Sequence, residues 1–468
     1  MRRWLPPLRT WRVTRPQPPR SGIKWRYFSA HSVEHIQVPT ASAGEITVSL
    51  HNTEEHSSTS PLVLWIPPFS FCDGYNPAEL VPPQWLGELP TVTLNYRWTG
   101  LFTDPATVAS STPRQWPLPL HDVLFGYQWV RQHLAPADLA RRDIYVYGSY
   151  LGASLAVSLA LTESHAHEPM AIRGLIAYNG IYNWTTFLPD HPINKPPAPP
   201  KGRKRRPLLT LHDEPDPEPK PASSSPNPFH LLRQQSPLLF STPANLFDPF
   251  ASPTLFFHTS GLLVPPDFHS SALEQPAPSE FTSAVNALAS GEPLSPSLSQ
   301  SQSETPLERA TRKAYLTFPP RKSTLQIPHA LLLYDPPLTP VQPNTKSRKK
   351  SSTAKRKRPA EPNSFHSQAM DLADAMTRSV DMLELRDRMK WDSTYEDPEV
   401  RAQEAERRVS VVEVGRDAED GRDRGLGVLD LNERGEGVAR RWLRGRCGGE
   451  EEGGFDVGEG AQGFFWGV

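Results

Sequence analysis

The sequence predicts an α/β fold with a mostly parallel central sheet flanked by helices and interrupted by long disordered inserts. Three observations predict it. Between about residues 45 and 190, short apolar, β-branched runs alternate with helix-forming stretches, the pattern of a parallel sheet covered on both faces. Apolar content is only 37%, and 53 of 468 residues are proline, about twice the usual share, so much of the chain lies outside any packed core. Order returns late in the sequence, so the low-complexity stretches interrupt one domain.

Taken in order, Leu62 to Ile66, Thr91 to Tyr96, Ile144 to Tyr147 and Leu175 to Tyr178 have the length and flanks of strands. His121 to His133 places Val123, Tyr127 and Val130 on one helical face, and Gly152 to Leu161 is rich in helix formers. Residues 189–227 are Pro-rich and 270–305 Ser/Pro/Gln-rich; neither buries enough apolar surface to offset chain entropy. Phe229 to Phe268, between them, is apolar enough to pack on a body. Ala314 to Asp335 is ordered again. Ser367 to Trp391 reads as a helix on the spacing of Ala369, Leu372, Ala373, Met376, Val380 and Leu383. Val409 to Val414 follows as a strand, and Gly437 to Leu443 as a short last helix.

Charge and cysteine usage exclude several classes. With 50 Lys+Arg against 51 Asp+Glu, the whole chain has no electrostatic pull toward nucleic acid. The basic runs at 201–206 and 346–358 lie in Pro/Ser-rich inserts without interleaved aromatics and read as solvated loops, with nuclear localisation as the alternative. Cys72 and Cys447 cannot form a disulfide framework. Ile144 to Thr162 is long enough for a membrane span, but its glycines and serines read as strand, turn and helix, so no transmembrane segment is expected. Before Glu34 the chain has no acid, while Arg2, Arg3, Arg9, Arg12, Arg15, Arg20, Lys24 and Arg26 are spread among aromatic and apolar residues. This predicts a mitochondrial (matrix) targeting segment cleaved near Phe28, a disordered basic tail being the plainer reading.

Four segments carry a resemblance. LVLWIPPFS (62–70), LNYRW (94–98), WPLPLHDVLFGYQWVRQHL (116–134) and RRDIYVYGSYLGASLAVSLAL (141–161) resemble, in order and spacing, the α/β-hydrolase fold. The resemblance is closest to the hormone-sensitive-lipase-like (fold-3) esterases, whose chain runs from an HGGG loop through a DYRLAPE-like strand to a GDSAG elbow. DPFASPTL (248–255) resembles the segment before the seventh strand, IPHALLLYD (327–335) that strand and FHSQAMDLADAMTRSV (365–380) the following helix. The expected layout is a targeting segment at 1–33 and two halves of one domain at 45–188 and 306–445. The second half carries a basic insert at 340–362; a lid-like region occupies 189–305 and a disordered tail 446–468.

The resemblance implies esterase or lipase chemistry, but the residues depart from it at each catalytic position. The nucleophile of GxSxG sits on a strained strand-to-helix turn that projects its side chain clear of the sheet. In GSYLG that place holds Tyr150, between Ser149 and Leu151. Ser154 makes a weaker GxSxA match inside the helix, where a packed serine is expected. The HGG of the oxyanion loop becomes Pro67, Pro68 and Phe69; proline has no N–H, and losing one oxyanion donor costs about 3 kcal/mol of transition-state stabilisation. Asp335 is the candidate acid, yet no histidine follows His366, so it reads as an isolated cap or turn residue. His121, His258 and His329 read as helix-start or packing residues. No metal spacing, phosphate loop or other cofactor signal is present.

Two functions therefore stay open. One is a catalytically inactive binding or scaffolding module, whose partner is an unknown protein or a small apolar ligand. The other is a carboxylic-ester hydrolase that uses an unrecognised serine.

Overall fold

The computed structural model describes residues 33–40, 44–69, 80–99, 114–137, 140–194, 228–272, 316–336, 363–415 and 431–447. The targeting segment with Phe28, both basic runs, Cys72 and nearly all of the tail lie outside the described residues.

Eight strands form one sheet in the order β1-β2-β4-β3-β5-β6-β7-β8. They are β1 (Val33–Thr40), β2 (Gly44–His51), β3 (Leu62–Ile66), β4 (Thr91–Asn95), β5 (Arg142–Ser149), β6 (Met170–Tyr178), β7 (His329–Tyr334) and β8 (Val409–Glu413). β2 runs antiparallel to both β1 and β4, and every pairing from β4 to β8 is parallel. Burial on both faces explains why β3, β5 and β6 read as near-continuous apolar runs. This topology is that of the α/β-hydrolase fold that the sequence resembles.

The helices are α1 (Leu118–His133), α2 (Leu151–Glu163), α3 (Pro228–Leu239), α4 (Phe365–Ser379), α5 (Pro398–Arg408) and α6 (Glu433–Cys447). α1 packs on β1, β2 and β4, α2 on β3, β5 and β6, and α4 on β7 and β8. α6 covers the other face. Tyr145 stacks edge-on against Trp442 of α6, whereas Gly148, on the opposite face of β5, abuts Ala156 of α2. Residues 151 to 161 of α2 are all buried, as expected of a helix apolar all round at the centre of a domain.

Two features of the fold exceed the sequence reading. β1 and the start of β2 bring residues 33–40 and Gly44 into the sheet, ahead of the orderly pattern at 45. The helix expected over Ser367 to Trp391 starts with a capping box, in which Ser364 and Ser367 bond each other's backbone N–H, and changes at Val380–Leu385 into a π-helical turn. Arg97 fixes the end of β4 to α1. Its Nε and Nη2 donate to Oδ2 and Oδ1 of the fully buried Asp122 at 3.0 and 2.6 Å, and its backbone N–H adds 2.9 Å.

β2 buries polar side chains on one face: Thr47, Ser49 and His51. His51 Nε2 lies 3.2 Å from Thr93 Oγ1, and His35 Nδ1 lies 2.8 Å from Ser49 Oγ. Burial, followed by repulsion from His35, pushes His51 down from 6.5 to about 4. The unfolded chain thus binds a proton that the folded chain refuses. Unfolding free energy should hold above the ordinary histidine value and fall as pH drops from 6.5 toward 4. Urea titrations across that window should show this slope, and His51→Gln should lessen it, the share of His329, which burial also pushes down, remaining.

Candidate functional site

The site lies where β5 meets α2. Gly148 and Gly152 flank the turn because nothing larger fits. A Cβ on Gly148 would sit 2.5 Å from the Gly152 carbonyl, and one on Gly152 would overlap the Pro67 carbonyl. Tyr150, between them, takes φ 50 and ψ −114. That backbone is strained for any non-glycine residue, and it projects the side chain away from both β5 and α2. Tyr150, the residue between the two glycines of GSYLG, is 1% exposed.

Two backbone donors of the elbow are occupied. The Tyr150 N–H donates to the Tyr178 carbonyl at 2.9 Å, and the Leu151 N–H donates to the Pro68 carbonyl at 3.2 Å. The neighbouring Pro67 carbonyl accepts from Tyr96 Oη at 3.1 Å. Pro68 therefore presents an acceptor to the elbow, and Phe69 stacks on the Tyr150 ring at 5.7 Å.

Rings fill the space above. Tyr178 and Phe365, the first residue of α4, meet Tyr150 edge-on, each at 5.8 Å. Phe365 in turn meets Phe229 of α3 at 5.1 Å, and Phe229 meets Phe187 at 5.3 Å. The contacts continue through Trp184 to Phe240, Trp98 and Trp116. α3 is thus seated on the elbow by an unbroken chain of aromatic contacts, each worth about 0.5–1.5 kcal/mol beyond its area.

Asp335 is neither isolated nor a helix cap. Just beyond β7 and buried, it accepts from Tyr178 Oη at 3.1 and 3.0 Å and from Asn179 Nδ2 at 3.0 Å, while its N–H donates to Asn179 Oδ1 at 2.9 Å. Asn179 Nδ2 also reaches Tyr150 Oη at 3.4 Å. Burial, then Tyr150 and Asp335, raises the Tyr178 hydroxyl well above its ordinary value, so it remains a donor. The carboxylate holds the tyrosines and Asn179 in place.

Neither serine reaches this pocket. Ser149 is fully buried, and its Oγ has no partner; as the neighbour of Gly148 it faces the α6 side of β5. Ser154 Oγ donates to the Ile181 carbonyl at 2.5 Å, a packed helical serine as the sequence suggests. His366 lies in the first turn of α4 with its ring 4.7 Å from Tyr334. His121 is in α1, His329 opens β7 at the far end of the sheet, and His258 follows the 3₁₀ turn Pro253–Phe256. Residues 414–432, which join β8 to α6, contain no histidine. Among the described residues, no three His, Cys, Asp or Glu side chains are placed to hold a metal ion, and no helix is long and apolar enough to cross a membrane.

Sequence reasoning missed Tyr178, Asn179 and Phe365. Asn179 had a local signal: it precedes Gly180 at a strand end, and Asn-Gly marks a turn with positive φ, here 49°. Phe365 had none, since only the fold brings the first turn of α4 over the elbow.

No family model and no curated protein matches the sequence. Among solved structures, the chain is similar to carboxyl esterase 2 of the mycorrhizal fungus Tuber melanosporum, at 12% identity and a TM-score of 0.40, with 90% of this chain and 88% of that one covered. It is similar to EstE1, a carboxylesterase cloned from a metagenomic library, at 14% identity and 0.30, covering 48% and 64%. A bacterial heroin esterase is similar at 20% identity and 0.25, covering 34% and 48%. The chain spans less than two thirds of the latter two proteins. Likeness at this level concerns the fold.

Emptying the elbow should be costly. Tyr150→Ser keeps the strained backbone and removes a ring that three others touch, so denaturant unfolding should show a loss of about 3–5 kcal/mol. Unchanged stability would mean that the ring does not fill the pocket.

Proposed function

We propose that the protein is a non-catalytic binding or scaffolding module built on the α/β-hydrolase fold. One observation carries this reading: the position that offers a nucleophile in the esterases it resembles holds a buried tyrosine ring, and the N–H beside it is already bonded to Pro68. Ester hydrolysis by this fold needs a nucleophile, free N–H donors for the tetrahedral oxyanion and a histidine base. Tyr150 occupies the first place, the Pro68 carbonyl takes up the Leu151 donor, and residues 414–432 offer no base. The pocket's aromatic filling favours an outer surface as the binding face, with a protein partner ahead of a small apolar ligand.

The competing reading is a carboxylic-ester hydrolase working through another serine. It needs Ser149 or Ser154 to turn toward the pocket. Ser154 would have to leave the Ile181 carbonyl, and Ser149 would have to cross to the other face of β5. Purified protein should hydrolyse short p-nitrophenyl esters no faster than buffer, and a serine-directed fluorophosphonate probe should leave it unlabelled. Labelling that Ser149→Ala or Ser154→Ala abolishes would establish the hydrolase instead.

The acid-free, arginine-rich start supports mitochondrial import as the setting of this function. A reporter fused to residues 1–40 should enter the matrix and be shortened near Phe28. A reporter that stays in the cytosol, or full-length protein that collects in nuclei through the basic runs, would contradict import.

A further inference from the structure

The outward face of α6 carries four arginines and little to balance them. One side of the helix is buried: Gly435, Ala439, Trp442 and Leu443 face inward, with Trp442 edge-on to Tyr145 of β5. At about 3.6 residues per turn the opposite side presents Arg434, Arg440, Arg441 and Arg444, all exposed, with Gly437 and Gly445 among them. The acids of the helix, Glu433 and Glu436, sit in its first turn. Beyond that turn the face meets Glu88, 3.5 Å from Arg444, in a pair whose side chains are 83% and 70% exposed. No carboxylate lies within ion-pair distance of Arg434, Arg440 or Arg441 among the described residues.

Packing requires neither glycine of this face. A Cβ added at Gly437 or at Gly445 would meet nothing within 4 Å, and neither residue has a positive φ. Glycine weakens a helix relative to alanine, so the two cost stability without serving the interior. They leave a low strip between the guanidinium groups, where a second stretch of backbone can lie close to the helix.

The chain itself carries the complementary charge directly after α6. Residues 448–468 contain Glu450, Glu451, Glu452, Asp456 and Glu459 and no lysine or arginine. Gly448 and Gly449 come first, and a Gly-Gly pair admits the sharp reversal needed to run back along the helix. Arg441 and Arg440 stand six and seven residues before Cys447, about 9–10 Å along the axis. Three extended glutamates cover that length at about 3.3 Å each. The negative end of the helix acts only over its last turn, so it turns carboxylates away from Cys447 while Arg440 and Arg441 lie beyond its reach. Attachment this short holds the acids at an effective concentration on the order of millimolar.

We propose that the acidic segment 450–459 docks on the outward face of α6 in the same chain, over the glycine strip and against Arg440, Arg441 and Arg444. Arg444 exchanges the exposed Glu88 for it. The docked segment withholds the face from acidic stretches of other proteins, so it acts as a tethered competitor. The docking does not depend on the chemistry at the elbow.

The test is native cleavage of the full-length protein by a glutamate-specific protease, with the free peptide 446–468 in the same tube as the reference for protease activity. At low ionic strength, cuts after Glu450, Glu451 and Glu452 should be about tenfold slower in the protein than in the peptide, as for a segment docked about nine-tenths of the time. Salt near 1 M, where the screening length is about 3 Å, should remove the difference. The combined Arg440→Gln, Arg441→Gln and Arg444→Gln protein should lose the protection with its far-ultraviolet spectrum unchanged. Arg441→Gln alone, with a partial loss, gives a second reading if the triple variant fails to fold. Equal rates in protein and peptide at low salt, or protection that the arginine variants leave intact, would overturn the docking and leave the face to an external acidic partner. Protection that grows with protein concentration would place the segment on a second copy and overturn it as well.

Discussion

The arrangement at the top of the sheet depends on how closely α2 approaches β5 and the end of β3. Two residues without a Cβ, Gly148 and Gly152, allow the helix to start against the Pro67 carbonyl. Once it starts there, the Leu151 N–H, one of the donors that every helix leaves open at its start, finds the Pro68 carbonyl. The turn then has one backbone solution, and that solution points residue 150 into the pocket. Close packing thus fixes the strain, the direction of the side chain and the partner of the Leu151 N–H together. The same contact that builds a nucleophile's perch accounts for why a tyrosine on it is enclosed.

A buried polar group is tolerated when its bonds are complete, and the elbow meets that condition by an exchange across the sheet. Asn179 and Asp335 follow neighbouring strands β6 and β7, and each serves the other's backbone or side chain. Their partners, Tyr178 and Tyr150, are two of the rings in the pocket. The acid at the end of β7 therefore has a packing explanation. Gln368 of α4 makes a comparable set of bonds one layer out, accepting from the N–H groups of Tyr182 and Asn183 and donating to Thr186 and Asn363.

The sequence made legible what is local or repetitive. The strand Leu62 to Ile66 has the bounds expected, and the elbow glycines with Tyr150 between them were readable because a tight turn leaves few residue choices. β2 was also legible in principle, since Ile46, Val48 and Leu50 alternate with polar residues, but its polar face is buried too and blurs the pattern. What was not legible depends on distant parts of the chain meeting. Asp335 looks like a turn residue until Tyr178 and Asn179 are brought to it, 156 residues from Asn179. The π turn at Val380–Leu385 leaves no mark in the helical spacing. Orphaned atoms such as Arg408 Nε are properties of packing alone.

The aromatic chain that seats α3 also makes the domain optically self-reporting. Trp98, Trp116 and Trp184 surround Phe240, and the first two indoles donate to the Leu239 carbonyl and to Asp248 at 2.9 and 3.0 Å. All three are buried at the junction between α3 and the body, whereas Trp391 is 90% exposed on the far side of α4. Indole emission follows its surroundings, so these three emitters report on the same junction. Three of the protein's twelve tryptophans thus share one junction, and a change in its wetting reaches all three together.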